Sequence, residues 1–177
     1  MSPIAPFLKS VTRLPLADLS RVDLSEVIAE LPASIRAGLA ATLADMDPWR
    51  RYGFSVERLQ AFVGTPSPIA RRYLVAEDDS VLGFVVLKPG WMFGTYLNFL
   101  AVLPQAQGRG IGGAVLDWMR REGEARGERN QFVATSAFNA GALRFYERHG
   151  FVVVANMPGL INDTETEVLL RRRLSLP

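Results

Sequence analysis

With 177 residues, 49% of them hydrophobic, the chain is long enough for one domain with a substantial core and too short for two ordinary ones. It has no cysteine and one histidine, which excludes disulfides, thiolate metal sites and histidine-based metal clusters, and leaves any chemistry to other side chains or a diffusible cofactor. Twenty basic residues against eighteen acidic ones give a formal charge of +2, too weak an excess for a nucleic-acid groove, and "RRR" at 171–173 reads as the solvated end of a strand. The N-terminal "MSPIAPFLKSVTRLPLADLS" lacks an uninterrupted apolar signal core, and no window approaches the roughly 18 apolar residues of a membrane span, so a soluble, cytoplasmic protein is expected.

The first third reads as helical. In "PASIRAGLAATLADMD" the residues Ile35, Leu39, Leu43 and Met46 fall on one helix face. "DPWRRYGF" at 47–54 follows as a loop, and "SVERLQAFV" forms a short helix with Ser55 as its N-cap. From Arg72 the pattern changes to three consecutive antiparallel strands, "RYLVAE", "VLGFVVLK" and "TYLNFLAVL", joined by a turn at "DDS" and a loop at "PGWMFG". Ile111, Val115 and Met119 mark a helix running to about Gly127. A strand "NQFVATSAF", a helix "NAGALRFYERHG" and two last strands, "FVVVANM" and "TEVLLRRRL", complete the order. The sum is a single mixed α/β domain over residues 1–177, with no internal repeat or linker.

"QGRGIG" at 107–112 places glycines at the mouth of a helix, where glycine weakens helical structure. A helix start offers backbone N–H groups without intrahelical partners and the positive end of the helix dipole, so side chains removed there let an anion such as phosphate reach the amides, with the charge of Arg109 beside them. A tight strand-to-helix turn needing only positive φ explains the same glycines equally well. Gly108, Gly110 and Gly113 also spell the dinucleotide fingerprint G-x-G-x-x-G, but the next strand ends without the acidic residue that motif wants. A P-loop fails because Ala114 and Val115 stand where a lysine and a hydroxyl residue are needed.

"LAVLPQAQGRGIGGAVL" followed by "NAGALRFYERHGF" resembles the GCN5-related N-acetyltransferase (GNAT) superfamily, whose members move an acyl group from acyl-coenzyme A to an amine. The first stretch matches the family pattern Q/R-x-x-G-x-G/A at Gln107, Gly110 and Gly112; the second matches N-x-x-A-x-x-x-Y-x-x-x-G-F at Asn139, Ala142, Tyr146, Gly150 and Phe151. The resemblance covers residues 72 to 155 and implies a mixed, mostly antiparallel sheet splayed between its central strands and flanked by helices on both faces. It further implies that the backbone of Leu100, Ala101 and Val102 pairs with the pantetheine arm as an extra strand would. Gln107, Gly108, Arg109, Gly110, Ile111 and Gly112 would cradle the pyrophosphate, and Asn139 would contact the cofactor while capping its helix.

Tyr146 is the implied catalytic residue: a phenol with a reference pKa near 10 stays protonated at neutral pH and can protonate a leaving thiolate. Its helix also suits a core aromatic at that position, because Leu143, Tyr146 and Gly150 share a face. His149 reads as a C-terminal cap of that helix. Several relatives carry a glutamate as general base on one of the two splayed strands, but Asn98 and Ala134 stand at the corresponding positions here, and the Ala134 departure weakens a ribosomal-protein N-acetylase reading. The amine's proton then falls to Asp45, Asp47 or Glu57, to water relayed through Thr135 or Ser136, or to no base at all if the acceptor is an α-amine with a pKa near 8. For the acceptor pocket, "MDPWRRYGF" offers Trp49 and Tyr52 as walls and Asp45, Asp47, Arg50 and Arg51 as anchors, against the plainer reading of a solvated helix corner. Trp91, Met92 and Phe93 fit a pocket lid, a dimer contact or a packed hairpin. The expected activity is acetyl transfer from acetyl-CoA to a primary amine, in a small molecule or at a peptide or protein N-terminus, by direct attack in a ternary complex. No metal, nucleic acid or membrane is expected, a homodimer is left open, and the alternative is a silent acyl-CoA-binding module.

Overall fold

The computed structural model describes residues 4–16, 18–24 and 28–175. The elements run α1 (Ala5–Ser10), β1 (Leu14–Leu16), β2 (Leu19–Asp23), α2 (Ala33–Ala44), α3 (Val56–Gly64), β3 (Arg71–Glu77), β4 (Ser80–Trp91), β5 (Gly94–Val102), α4 (Ile111–Ala125), β6 (Asn130–Ser136), α5 (Ala140–Arg148), β7 (Val152–Pro158) and β8 (Thr166–Arg173). The strands form one open, mostly antiparallel sheet in the order β1-β2-β3-β4-β5-β6-β8-β7, in which β5 and β6 pair in parallel. The chain divides into two compact units, Met1–Val86 with Phe99–Ala114, and Leu87–Asn98 with Val115–Pro177.

In the first unit, Leu39, Ala40 and Leu43 of α2 and Leu59 and Val63 of α3 are buried in one apolar cluster with Val22, Leu74, Phe84, Val86 and Phe99 of the strands. Ser55 caps α3 as its sequence requires, its hydroxyl accepting the Arg58 N–H at 3.2 Å. Met46, expected on the face of α2, lies past its end yet still packs on the core. The helical reading of the first third fails at Leu14–Leu16 and Leu19–Asp23, two antiparallel strands with Leu14 opposite Arg21 and Leu16 opposite Leu19. Three residues containing a proline carry no period-2 signal, and the strands exist because β2 completes a ladder with β3, from Ser20 opposite Ala76 to Asp23 opposite Tyr73. The Arg13 guanidinium staples this edge, donating to Ser20 Oγ at 2.7 and 2.9 Å and to the Asp78 carbonyl at 3.0 Å.

In the second unit, β6 is sandwiched between two unequal ladders. It pairs with β8 along its whole length, from Asn130 opposite Arg173 to Ser136 opposite Glu167. Its parallel pairing with β5 covers only Gly94–Leu97 against Asn130–Val133. Where the two strands meet they are so close that a Cβ on Gly94 would lie 1.8 Å from the Asn130 carbonyl oxygen, so only glycine fits.

The expected loop "PGWMFG" is tighter than its sequence suggests, because β4 continues to Trp91 and β5 starts at Gly94. Met92 and Phe93 fill a two-residue turn with φ of 47° and 61°, a geometry usually given to asparagine and glycine. Their carbonyls accept Asn130 Nδ2–H and the Arg129 N–H, at 3.1 and 2.9 Å, and Trp91 packs edge-on against Phe132. The expectation of a solvated "RRR" also fails, since Arg172 is 7% exposed. Strand alternation turns it inward, where its guanidinium donates to Gln131 Oε1 at 2.6 Å and to the carbonyls of Leu116 at 2.8 Å and His149 at 3.1 Å.

Because the Asn130 carbonyl is fixed backbone, Gly94→Ala must force β5 away from β6 and should destabilise the fold by about 3 kcal/mol or more, at the upper end of overpacking costs. Urea unfolding of the variant checks this as a lowered midpoint at unchanged slope.

Candidate active site

In the first unit the sequence-predicted residues follow one another along β5, a short turn and α4. Leu100, Ala101 and Val102 lie past the last β5–β6 rung; Ala101 is buried and its neighbours are half-buried. A single 3-10 turn, Pro104–Ala106, then leads to Gln107, whose side-chain amide donates back to the Val102 carbonyl at 3.2 Å. Gly108 and Gly110 both adopt φ of +77°, and a Cβ at either would meet nothing within 4 Å. Glycine is therefore demanded by backbone conformation and not by crowding, and the space beside the turn stays open. Gly110 accepts the first helical N–H, from Ala114 at 3.0 Å, so the amides of Ile111, Gly112 and Gly113 precede the first intrahelical donor.

Arg109 departs from expectation. Its guanidinium pairs with Glu77 at 2.7 Å, with both side chains 42% exposed, so its charge is engaged by a carboxylate. A pair this exposed is worth at most about 1 kcal/mol, little enough for a phosphate to displace.

In the second unit, Asn139 caps α5, Oδ1 accepting the Ala142 N–H at 3.0 Å, and its own N–H binds the Ser136 carbonyl at 2.8 Å. Tyr146, about two turns along, is 7% exposed and held between the rings of Phe145 and Phe151. Burial drives its phenol pKa far above the ordinary value, and the nearby Tyr96 phenol adds to the effect. His149 closes the helix as its position implied: its N–H binds the Tyr146 carbonyl at 3.0 Å, and Nδ1, as the protonated ring nitrogen, donates to the Phe145 carbonyl at 2.8 Å.

Asn98 and Ala134 are both half-buried and bring no carboxylate. The candidates offered in their place do not gather. Asp47 is paired with Arg50 at 3.2 Å, and Asp45 ends α2 with its N–H on the carbonyls of Thr42 and Leu43. Glu57 is fully exposed, its carboxyl held below the usual range by a backbone hydrogen bond at the start of α3 and by Ser55. Trp49 is half-buried and stacked on Phe99 with ring centroids 4.2 Å apart, so its ring is held against the core. A surface pocket of about 290 Å³, lined by Ile35, Leu39, Asp79, Leu103 and Gln105 among others, includes none of the expected site residues. One carboxylate went unnoticed in the sequence. Glu167 is 5% exposed, opposite Ser136; an acidic residue inside the strand pattern "TEVLL" was the available signal.

The sequence pattern of the acetyltransferase (GNAT) family matches residues 38–151, well over half of the chain. The chain belongs to this family. Solved structures agree on the fold. An acetyltransferase from Salmonella typhimurium that modifies the N-terminal serine of ribosomal protein L7/L12 superposes with a TM-score of 0.72 at 15% identity, over 93% of this chain and all of that one (100%). A GNAT acetyltransferase from Elizabethkingia anophelis, crystallised with acetyl-CoA bound, gives a TM-score of 0.65 at 20% identity, over 89% and 99% of the two chains. The ribosomal-protein-S18-alanine N-acetyltransferase of Escherichia coli gives 0.65 at 20% identity, over 89% and 96%. This GNAT protein is thus an acyl-CoA-dependent acetyltransferase with acetyl-CoA as co-substrate. Among the described residues, no helix is long and apolar enough to cross a membrane.

If Glu77 competes with phosphate for Arg109, Glu77→Gln should tighten CoA binding two- to fivefold at low salt, the range an exposed ion pair allows. Titration calorimetry checks this, and the gain should fade in 0.5 M NaCl as screening removes the competition.

Proposed function

We propose that the protein is a cytoplasmic N-acetyltransferase, formed as one domain, that moves the acetyl group of acetyl-CoA to a primary amine by direct attack in a ternary complex. The observation that carries this reading is the turn at Gly108 and Gly110, left-handed and open to solvent, leading straight to the unpaired amides of α4. The amides of Ile111 and Gly112, with Gln107, Gly108, Gly110 and Arg109 freed from Glu77, would hold the pyrophosphate. Main-chain groups of Leu100, Ala101 and Val102 would pair with the pantetheine arm, and Asn139 would reach the cofactor with Nδ2 while Oδ1 keeps its cap.

Tyr146 would act on the departing sulfur. A buried phenol with its pKa raised this far is fully protonated across the neutral range. A free thiol ionises near 8.5, so full proton transfer from the phenol is uphill, and the tyrosine serves chiefly as a hydrogen-bond donor to sulfur as negative charge develops there. The acceptor best suited to a site lacking the strand glutamate is an α-amine, neutral far more often at pH 7 than a lysine. Peptide N-termini fit that chemistry, as do small α-amines, and two of the similar structures are acetyltransferases of ribosomal-protein N-termini. A second reading, a silent acyl-CoA binder, draws support from Asn98 and Ala134 alone.

A thermal-shift titration with acetyl-CoA, followed by thiol release across a panel of amines and peptide N-termini, separates the two. The transferase reading predicts a shift together with amine-dependent thiol release. Tyr146→Phe should keep the shift and lose about 10²- to 10³-fold in turnover, and the wild-type rate should show no alkaline loss from this phenol below pH 10. A shift with no turnover on any amine would point to the silent module.

A further inference from the structure

Resting on the acetyltransferase reading, we propose that Glu167 is the catalytic base: its carboxylate, opposite Ser136 at the end of the β6–β8 ladder, takes the proton that the acceptor amine loses. Three features of the second unit lead there.

The first is which face the residue occupies. Directly paired residues of neighbouring strands share a face. The β5–β6 register sets Tyr96 beside Phe132, and both rings pack on Trp91. Two residues further along β6 comes Ala134, and two beyond that Ser136, which pairs with Glu167. Tyr96, Phe132, Ala134, Ser136 and Glu167 therefore lie on one face, whereas Gln131 and Arg172 lie on the other, toward α4. Asn98, two residues past Tyr96, continues the first face along β5. A carboxylate missing from Asn98 and Ala134 is thus present on the same face, one strand over.

The second feature is burial with a gap in the hydrogen bonding. Glu167 is 5% exposed and Ser136 is 1% exposed, yet Ser136 Oγ has no hydrogen-bond partner among the described residues. A buried hydroxyl left unsatisfied beside a buried carboxylate suits a donor held between them, and an amine nitrogen is such a donor. The position lies past the last β5–β6 rung, where Ala134 to Ser136 pair only with β8.

The third is electrostatic reach from Glu167 to Tyr96, a phenol that in turn lies near Tyr146. The Glu167 carboxylate pushes the Tyr96 phenol up, adding to burial, and Tyr96 in turn acts on Tyr146. Among the groups near Glu167 are Tyr96 from β5, Ser136 paired with it from β6 and Met157 paired with it from β7. Arg171 shares its face of β8 but is drawn away to Asn130 Oδ1 at 2.8 Å.

In the step this arrangement supports, the amine nitrogen forms a bond to the acetyl carbonyl carbon and the carbon–sulfur bond breaks with its electron pair on sulfur. The nitrogen's proton passes to the Glu167 carboxylate and from there to solvent, while the thiolate accepts a hydrogen bond from Tyr146 and takes a proton from solvent as it leaves. Products are the amide and free coenzyme A thiol, with no other reactant.

The test uses the full chain with acetyl-CoA and the panel amine that gives most thiol release, comparing wild type, Glu167→Gln and Glu167→Asp between pH 6 and 10. Glu167→Gln should lower kcat at pH 7 by about 10²-fold or more, within the range for a lost general base. KM for acetyl-CoA and the acetyl-CoA thermal shift should stay within twofold of wild type. The Gln variant's deficit should shrink as pH rises and hydroxide replaces the base, and Glu167→Asp should recover part of the rate. If Glu167→Gln fails to fold, Glu167→Asp carries the test through the same pH comparison. A folded variant that keeps kcat within threefold of wild type, or a deficit constant with pH, overturns Glu167 as base and leaves the transferase standing. A wild-type protein without an acetyl-CoA shift overturns both.

Discussion

The parallel pairing of β5 with β6 stops after four residue pairs, and the proposed activity depends on that early end. The strands are pinned together at Gly94, where no Cβ fits against the Asn130 carbonyl, and beyond Leu97 and Val133 they no longer bond to each other. A strand whose backbone groups lack a ladder partner must satisfy them elsewhere or offer them to a ligand. Neither residues 100–102 nor Ala134 to Ser136 take part in the β5–β6 ladder, and the Val102 carbonyl accepts the Gln107 side-chain amide instead.

Holding such an interrupted sheet in place requires rigid support, and in the second unit Arg172 supplies much of it. Its guanidinium is buried, with its pKa pulled down to about 10 chiefly by loss of solvent, and it remains charged at neutral pH. It donates to the carbonyls of Leu116 in α4 and His149 at the end of α5 and to Gln131 of β6, whose own amide donates to the Met119 carbonyl at 2.6 Å. Its positive charge also lies over the Phe151 ring, 4.7 Å from the centroid. One side chain thereby ties two helices and two strands, and the anchored end of α5 is the turn that carries Tyr146.

What the sequence revealed and what it hid divide along the range of the interactions. The turn at Gly108 and Gly110, the caps at Ser55 and Asn139 and the helix ending at His149 were legible because each is settled within a few residues. The β1–β2 hairpin was not, since its strands depend on β3, some fifty residues away. Met92 and Phe93 hid a tight turn because neither residue type favours positive φ, and the geometry is held by Arg129 and Asn130 from a later strand. The burial of Arg172 and of Glu167 likewise depends on which face of β8 meets which neighbour, and two residues of one strand, five apart, were both mistaken for solvent-facing or ignored. Local motifs picked out the candidate cofactor residues, while the carboxylate opposite Ser136 emerges only from strand register.

The central claim is that the main chain past the last β5–β6 rung and the amides at the start of α4 are where acetyl-CoA binds. Amide hydrogen exchange with and without saturating acetyl-CoA tests it residue by residue. The account predicts strong added protection at residues 100–102 and 108–113, with little change in α2 or α3. Protection that appears only elsewhere, or none in either stretch while acetyl-CoA is demonstrably bound, would contradict it.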